Sequence, residues 1–403
     1  MKKTLLLFFL ITFNLLSAQE TTYNKISYYG FVRSDFYFNS RQNVEVIDGI
    51  FDIFPKPIIL DLSGKDINNV PQAEMLSVAT RFGININGPE LFKAKSTAKI
   101  ETDFCGTGTT YFILRLRQAY VKLNWKKTEL LVGQTWHPLY GSVSPTLVSF
   151  NSGSPFQPFN RSPQLRLKQN ITPTLSITGA AIYQMQYASF GPEGRSNFYM
   201  KKALLPNFYL GIENAGKHVI SGIGLDVKTI KPDSRLFSKS AVAYAQYSVS
   251  NLQVKAKTLL GQNLSDMQMP LGYGINTYDA VKKENTYTSF NLSSTWLNIV
   301  YGKIWQVGVF GGYLKNLGTD KNLLQNSNGD YIVYDSGYFS GNQRLDQLFR
   351  ISPHISYNYQ NIRIGIEYDL TNATYGKMKN DGSVENPYSE NNHRISAAIL
   401  YNF

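Results

Sequence analysis

The residues in this 403-residue chain best placed to do chemistry are basic, and they recur at every second position. Arg115 and Arg117, Arg166 and Lys168, and Lys255 and Lys257 are such pairs; Lys93, Lys95 and Lys99 continue the spacing into Glu101 and Asp103. Period two puts side chains on one face of a β-strand, so each pair offers adjacent cations to whatever lies on that side. Arg33, Arg81, Arg350, Arg363 and Arg394 sit on the polar faces of their own segments, with Asp35, Glu367 and Asp369 among them. Where such a wall lines a narrow aqueous passage it attracts anions, because the low-dielectric surroundings focus its field. The same cations could instead pair with wall acids and only fix the shape; the sequence leaves both open.

Covalent and metal chemistry find less support. His137, His218, His354 and His393 are scattered, none at metal-ligand spacing, and there is no G-x-S-x-G elbow. A Ser–His pair built from separate strands would not show in sequence, so a barrel hydrolase stays as an alternative. Gly272-Tyr273-Gly274 lacks a strand–turn–helix context and reads as loop. No catalytic residue, metal or cofactor is expected. The formal charge is +12, two of which, Lys2 and Lys3, would leave with a leader. No basic cluster of nucleic-acid type accompanies it, so nucleic acid is not an expected partner. Cys105 is the sole cysteine and reads as a small strand-end residue; cysteine scarcity suits passage through an oxidising periplasm.

The elements that would position the cations are strands. Residues 1–18 read as a secretory leader: Lys2-Lys3, an apolar run from Leu5 to Leu16, and a small-residue site at Ser17-Ala18. No later apolar run is long enough for a spanning helix, which leaves a soluble secreted protein or a closed transmembrane barrel. Twenty-seven Tyr and 24 Phe suit aromatic girdles. Alternating segments begin with Ile26–Asn39, Met75–Asn87 and Phe92–Phe104, with a turn expected at Gly88-Pro89-Glu90, and continue through Tyr111–Trp125. Twelve more follow, and connections alternate long and short. The expected fold is all-β: a transmembrane antiparallel β-barrel of about 16 strands, with short periplasmic turns and long outer loops, forming one domain over 19–403. Ile395, Ala397, Ile399, Tyr401 and Phe403 share a face in the closing strand. Tyr401 and Phe403 would form its signal to the barrel-assembly machinery.

Two stretches depart from the pattern. In the fourth strand Arg115 and Arg117 share parity with Ala119, Val121, Leu123 and Trp125, while Gln118, Tyr120 and Lys122 take the other. Either a bulge flips the phase, or the outward face there meets protein. Residues 138–163 are too long for a mere link and rich in Pro, Ser, Gly and Phe. They could fold inward as a constriction loop or cap the outside.

Several segments resemble the DcaP-like family of outer-membrane porins. They are Tyr29-Gly30-Phe31-Val32-Arg33, Lys99-Ile100-Glu101-Thr102-Asp103-Phe104, Arg115-Leu116-Arg117-Gln118-Ala119-Tyr120-Val121, Leu130-Leu131-Val132-Gly133-Gln134-Thr135-Trp136 and Arg161-Ser162-Pro163-Gln164-Leu165-Arg166. They cover roughly the first 170 residues, in order. The resemblance implies a sixteen-stranded trimeric channel for small, often negatively charged solutes. It makes Arg115, Arg117, Arg161 and Arg166 pore-lining cations near the constriction. Some members carry a periplasmic helical segment before the barrel; only about Gln19 to Lys25 would precede the first strand here.

The expectation is thus an outer-membrane porin of a Gram-negative bacterium for small hydrophilic, preferentially anionic solutes. It would be a homotrimer embedded in outer-membrane lipid. Alternatives are a solute-specific channel for phosphate-like or carboxylate anions, a barrel hydrolase and a soluble secreted β adhesin.

Overall fold

The computed structural model describes residues 25–46, 49–106, 113–335 and 342–403. The leader expected at 1–18, and Tyr111 and Phe112 of the expected fourth strand, lie outside them. Sixteen antiparallel strands form a closed ring. They are β1 (Lys25–Asn39), β2 (Gln72–Leu76 continuing as Arg81–Leu91), β3 (Ala94–Asp103), β4 (Arg115–Asn124), β5 (Thr128–Trp136), β6 (Arg161–Asn170), β7 (Leu175–Ile182) and β8 (Asn207–Ala215). Then come β9 (Val219–Ile230), β10 (Leu236–Val249), β11 (Leu252–Gln262), β12 (Glu284–Gly302), β13 (Trp305–Thr319), β14 (Gln343–Tyr359), β15 (Ile362–Met378) and β16 (Val384–Asn402). Each pairs with its sequence neighbours, and β16 returns to β1 with Val32 opposite Tyr401 and Phe36 opposite Ala397.

Alternation decides which face each residue shows. Val132, Leu165, Leu167, Ile223, Leu225, Leu297, Ile299, Ile364 and Ile366 all point outward and are exposed. A continuous apolar belt of this size marks a lipid-facing wall rather than a wet one. Tyr247, Tyr301, Trp305, Tyr359 and Tyr401 ring it beside the short turns, where amphipathic rings prefer the membrane interface. Connections on that side have two to four residues, and those at the other end five or more. The ends of β1 and β16 lie on the short-turn side.

Some boundaries differ from the sequence reading, for physical reasons. The β2–β3 turn is at Phe92-Lys93, both with positive φ of 51° and 63°, not at Gly88-Pro89-Glu90, which forms an irregularity inside β2. Trp125 Nε1 donates to the Phe92 carbonyl at 2.9 Å and Ser96 Oγ to the Pro89 carbonyl at 2.5 Å, so side chains hold a turn whose residues are unusual for it. Strands β10, β12, β14, β15 and β16 have 14 to 19 residues, more than the roughly 9–11 that a tilted crossing needs. Outside the bilayer both faces meet water or loops, so Thr371-Asn372-Ala373-Thr374 carries no alternation to read.

At the seam, Gly30 and Phe403 exchange two backbone hydrogen bonds of 3.1 Å. A Cβ on Gly30 would lie 2.3 Å from the Arg81 carbonyl oxygen and 2.7 Å from the Phe403 ring, so that ring sits where only glycine leaves room. Deleting Phe403 removes both bonds and the ring. The expected result is a lower yield of heat-modifiable barrel on gels, while the conductance of molecules that do fold is retained.

Candidate functional site: the charged lumen

Two outer connections turn into the barrel rather than away from it. The first contains a hairpin, Asn43–Val46 with Phe51–Pro55. Arg350 on β14 holds it through Asp52 Oδ2 at 3.0 Å and the Ile53 carbonyl at 2.8 Å. Tyr375 on β15 donates to the Pro55 carbonyl, and Arg394 on β16 reaches the Gly49 carbonyl at 3.3 Å. The second is 137–160. Its backbone donates from Val148 to Glu367 Oε2 at 2.6 Å and from Thr146 to Asn298 Oδ1 at 2.8 Å. Its Leu147 and Val148 carbonyls accept from Arg363 at 3.3 Å and Arg33 at 2.7 Å. Lys255 donates to Thr146 Oγ1 at 2.7 Å and Lys257 to Gln157 Oε1 at 2.8 Å. This segment therefore docks on β11, β12, β15 and β1.

Between these segments and the wall lies an apolar cluster that includes Phe51, Phe54, Phe156, Trp296, Phe310 and Leu348. Gly312 makes room for the Phe156 ring, 2.6 Å from where a Cβ would stand. The β12–β16 side of the lumen is thus filled. Basic residues there act as clamps on the segments.

The opposite side, from β2 to β10, keeps exposed charge, and parity in β4 explains part of it. Glu101 is opposite Gln118 but Thr102 is opposite Leu116, so Arg117 is the extra residue of a bulge. Arg115, Arg117 and Gln118 are all buried on the inside; beyond the bulge Tyr120 and Lys122 take the inward parity, with Val121 outside. Of the two explanations open in sequence, the bulge is the one observed. Gln134 seals it: its Nε2 donates to the Leu116 and Arg117 carbonyls at 2.9 and 3.3 Å. Lys122, on the outward parity of an unbulged strand, thereby joins the lumen. The parity break was the only signal for it.

The expected pore residues divide by environment. Arg115 lies 2.8 Å from Asp103, and Arg117 lies 2.7 Å from both Glu101 and Asp103. Their side chains are 9% and 3% exposed, so their charge is spent inside a buried network and little is offered to a passing ion. Arg161 is fully buried over the Trp136 ring at 4.9 Å, with Gln186 as acceptor at 3.2 Å. Arg33 is bound by Asp35 at 2.5 Å. Lys93 occupies the turn and Lys95 the short-turn end of β3, both exposed there. Arg81, Lys99, Lys122 and Lys168 keep 21%, 23%, 25% and 34% of their side chains exposed. Lys99 stands 4.7 Å over the Tyr29 ring, and Arg81 4.9 Å over Phe31. Arg166 joins them on β6. Among the described residues, His137, His218 and His393 accept or share hydrogen bonds with backbone groups or Tyr368, and His137 and His354 stand 3.7 and 3.9 Å from Asp226 and Glu367.

No protein-family model and no curated protein matches the sequence. Among solved structures, the chain is similar to the outer membrane channel DcaP of Acinetobacter baumannii, with a TM-score of 0.67 and 18% identity over 96% of this chain and 99% of that one. It is also similar to the anion-selective porin from Comamonas acidovorans (TM-score 0.54, 8% identity, 94% and 100% covered). The trimer form of OmpT of Vibrio cholerae gives 0.53 at 9% identity, covering 94% and 99%. The fold is that of an outer-membrane porin barrel, and its resemblance to the DcaP channel runs the length of the chain.

Two outcomes follow from the buried charges. Arg117→Ala strips Glu101 and Asp103 of a shared partner and leaves buried carboxylates under-paired, a loss of about 3–5 kcal/mol, read as a lower temperature for the heat-modified gel shift. Glu45, on the inward hairpin, has its carboxyl pushed up to about 7 by burial and then by Asp52, against the pull of Arg394 and Lys56. A raised acid pKa means that the docked hairpin holds a proton the released one would give up. Docking is therefore strongest below the ordinary glutamate range and weakens as pH rises towards 7. Hydrogen exchange in 43–46 and 49–55, divided by the intrinsic rate at each pH, should show less protection at pH 8 than at pH 5, and Glu45→Gln should flatten the difference.

Proposed function

We propose that this chain is a passive outer-membrane channel for small hydrophilic solutes, with a preference for anions. The observation that carries the reading is the uneven lumen: inward segments fill one side, and on the other Arg81, Lys99, Lys122, Arg166 and Lys168 line the remaining space beside the accessible acids Glu129 and Glu213. An excess of fixed positive charge beside a water-filled path raises the local anion concentration. The segment 137–160 narrows the path, and no cofactor is needed. The similarity to a porin described as anion-selective agrees with this reading.

The same proposal includes a homotrimer. Strands β3 to β8 have only 8 to 10 residues, and small outward residues such as Ala98, Ala119, Gly179 and Ala181 would let a second copy approach closely. It also includes recognition of Tyr401 and Phe403 by the barrel-assembly machinery. Mass measurement in mild detergent tests the trimer.

For the selectivity, purified protein in a planar bilayer under a salt gradient should show stepwise conductance and a reversal potential of anion-selective sign. Combined Lys99→Gln, Lys122→Gln and Lys168→Gln should move that potential towards zero. A potential unchanged by all three would sink the anion reading.

A further inference from the structure

The wall between β4 and β10 holds a recess of 320 Å³ under the start of the inward segment. Its floor depends on glycine. A Cβ on Gly211 or Gly224 would stand 2.2 or 2.3 Å from the Tyr209 hydroxyl, and one on Gly222 would stand 2.4 Å from that of Tyr244. Both tyrosines therefore lie along the wall, across positions that a larger residue would block. Both are buried, at 7% exposure, and Gly141 of the inward segment packs on Tyr244, so the recess is bounded chiefly by its polar groups.

Its polar groups are arranged asymmetrically. Lys122 lies 3.0 Å from Glu129, and Lys168 3.5 Å from Glu213, which also accepts from Tyr244 Oη at 2.8 Å. Each carboxylate already has a cation. Arg166 is different. Its Nε and Nη2 donate to Gln164 Oε1 at 2.9 and 2.7 Å, and Nη2 to the Trp136 carbonyl at 2.6 Å. These acceptors are neutral and fix the guanidinium plane. Among the described residues no carboxylate comes within ion-pair distance of it, and Nη1 is left for a ligand.

We infer that this recess is a binding station for a hexuronate, a sugar ring bearing one carboxylate. This rests on the channel reading and names a solute class for it. The ligand carboxylate pairs with Arg166, because a fixed guanidinium lacking a counter-charge is the group that gains most from an anion. The ring hydroxyls donate to Glu129 and Glu213 and accept from Lys122 and Lys168, leaving both ion pairs in place. An amino acid fits less well, since its ammonium would have to displace a lysine from a carboxylate. A simple carboxylate leaves Glu129 and Glu213 unused. The volume lies at the small end of ligand pockets, roughly 300–1,000 Å³, which suits one ring and not a chain of them.

The test uses full-length protein in planar bilayers, with sodium glucuronate as the probe and glucose, acetate and glutamate as comparators, alongside calorimetry in detergent. Glucuronate should give saturable current block at a lower concentration than any comparator. Arg166→Gln should raise its half-blocking concentration at least about ten-fold, as the loss of a charge-assisted hydrogen bond requires. Lys168→Gln serves as a second variant if the first fails the heat-modifiability check. Equal block by acetate or glutamate overturns the assignment. A conducting channel with neither block nor binding heat overturns the station and leaves the channel standing. Saturable heat without conductance overturns the channel and leaves the station.

Discussion

Everything in this molecule depends on closing the ring. Inside a bilayer no water is available to an unpaired backbone group, so a sheet can cross only if its last strand finds its first. Here that meeting involves β1 and β16, and it ends on a pair of residues, Gly30 and Phe403, that fit only because one has no side chain. Once the ring is closed, alternation assigns each residue to lipid or lumen. The polar contents of the lumen follow from that assignment, not from any local motif.

Closing the ring creates a second problem, an interior too wide to be filled by wall side chains alone. Two outer connections solve it on one side by bringing in their own apolar residues and satisfying their backbone with wall arginines, lysines and asparagines. Cations that look alike in sequence therefore have separate tasks. Arg350 and Arg394 hold inserted chain, Arg115 and Arg117 stiffen the wall against Asp103 and Glu101, and Lys99, Lys122 and Lys168 keep part of their charge exposed on the other side.

The strand count, the phase of long and short connections and the inward parity of most cations were legible in the sequence, because lipid on one side and water on the other impose a period of two over every crossing. What was not legible depended on non-local or single-residue effects. The Arg117 bulge announced itself as a parity conflict but not as its own resolution; Gln134, from the next strand, completes it. The Phe92-Lys93 turn replaced a better-looking Gly-Pro turn because Trp125 supports it from another hairpin. The inward hairpin around Asp52 left no trace, since its partners are some 300 residues away on the far edge of the chain.

The inserted segments also brace the ring mechanically. Bonds from 137–160 reach β1, β11, β12 and β15, while its start packs on β9 and β10, with His137 3.7 Å from Asp226 and Gly141 against Tyr244. A chain fixed on both walls acts as a strut, so sideways pressure from the surrounding lipid meets resistance across the bore as well as around the ring.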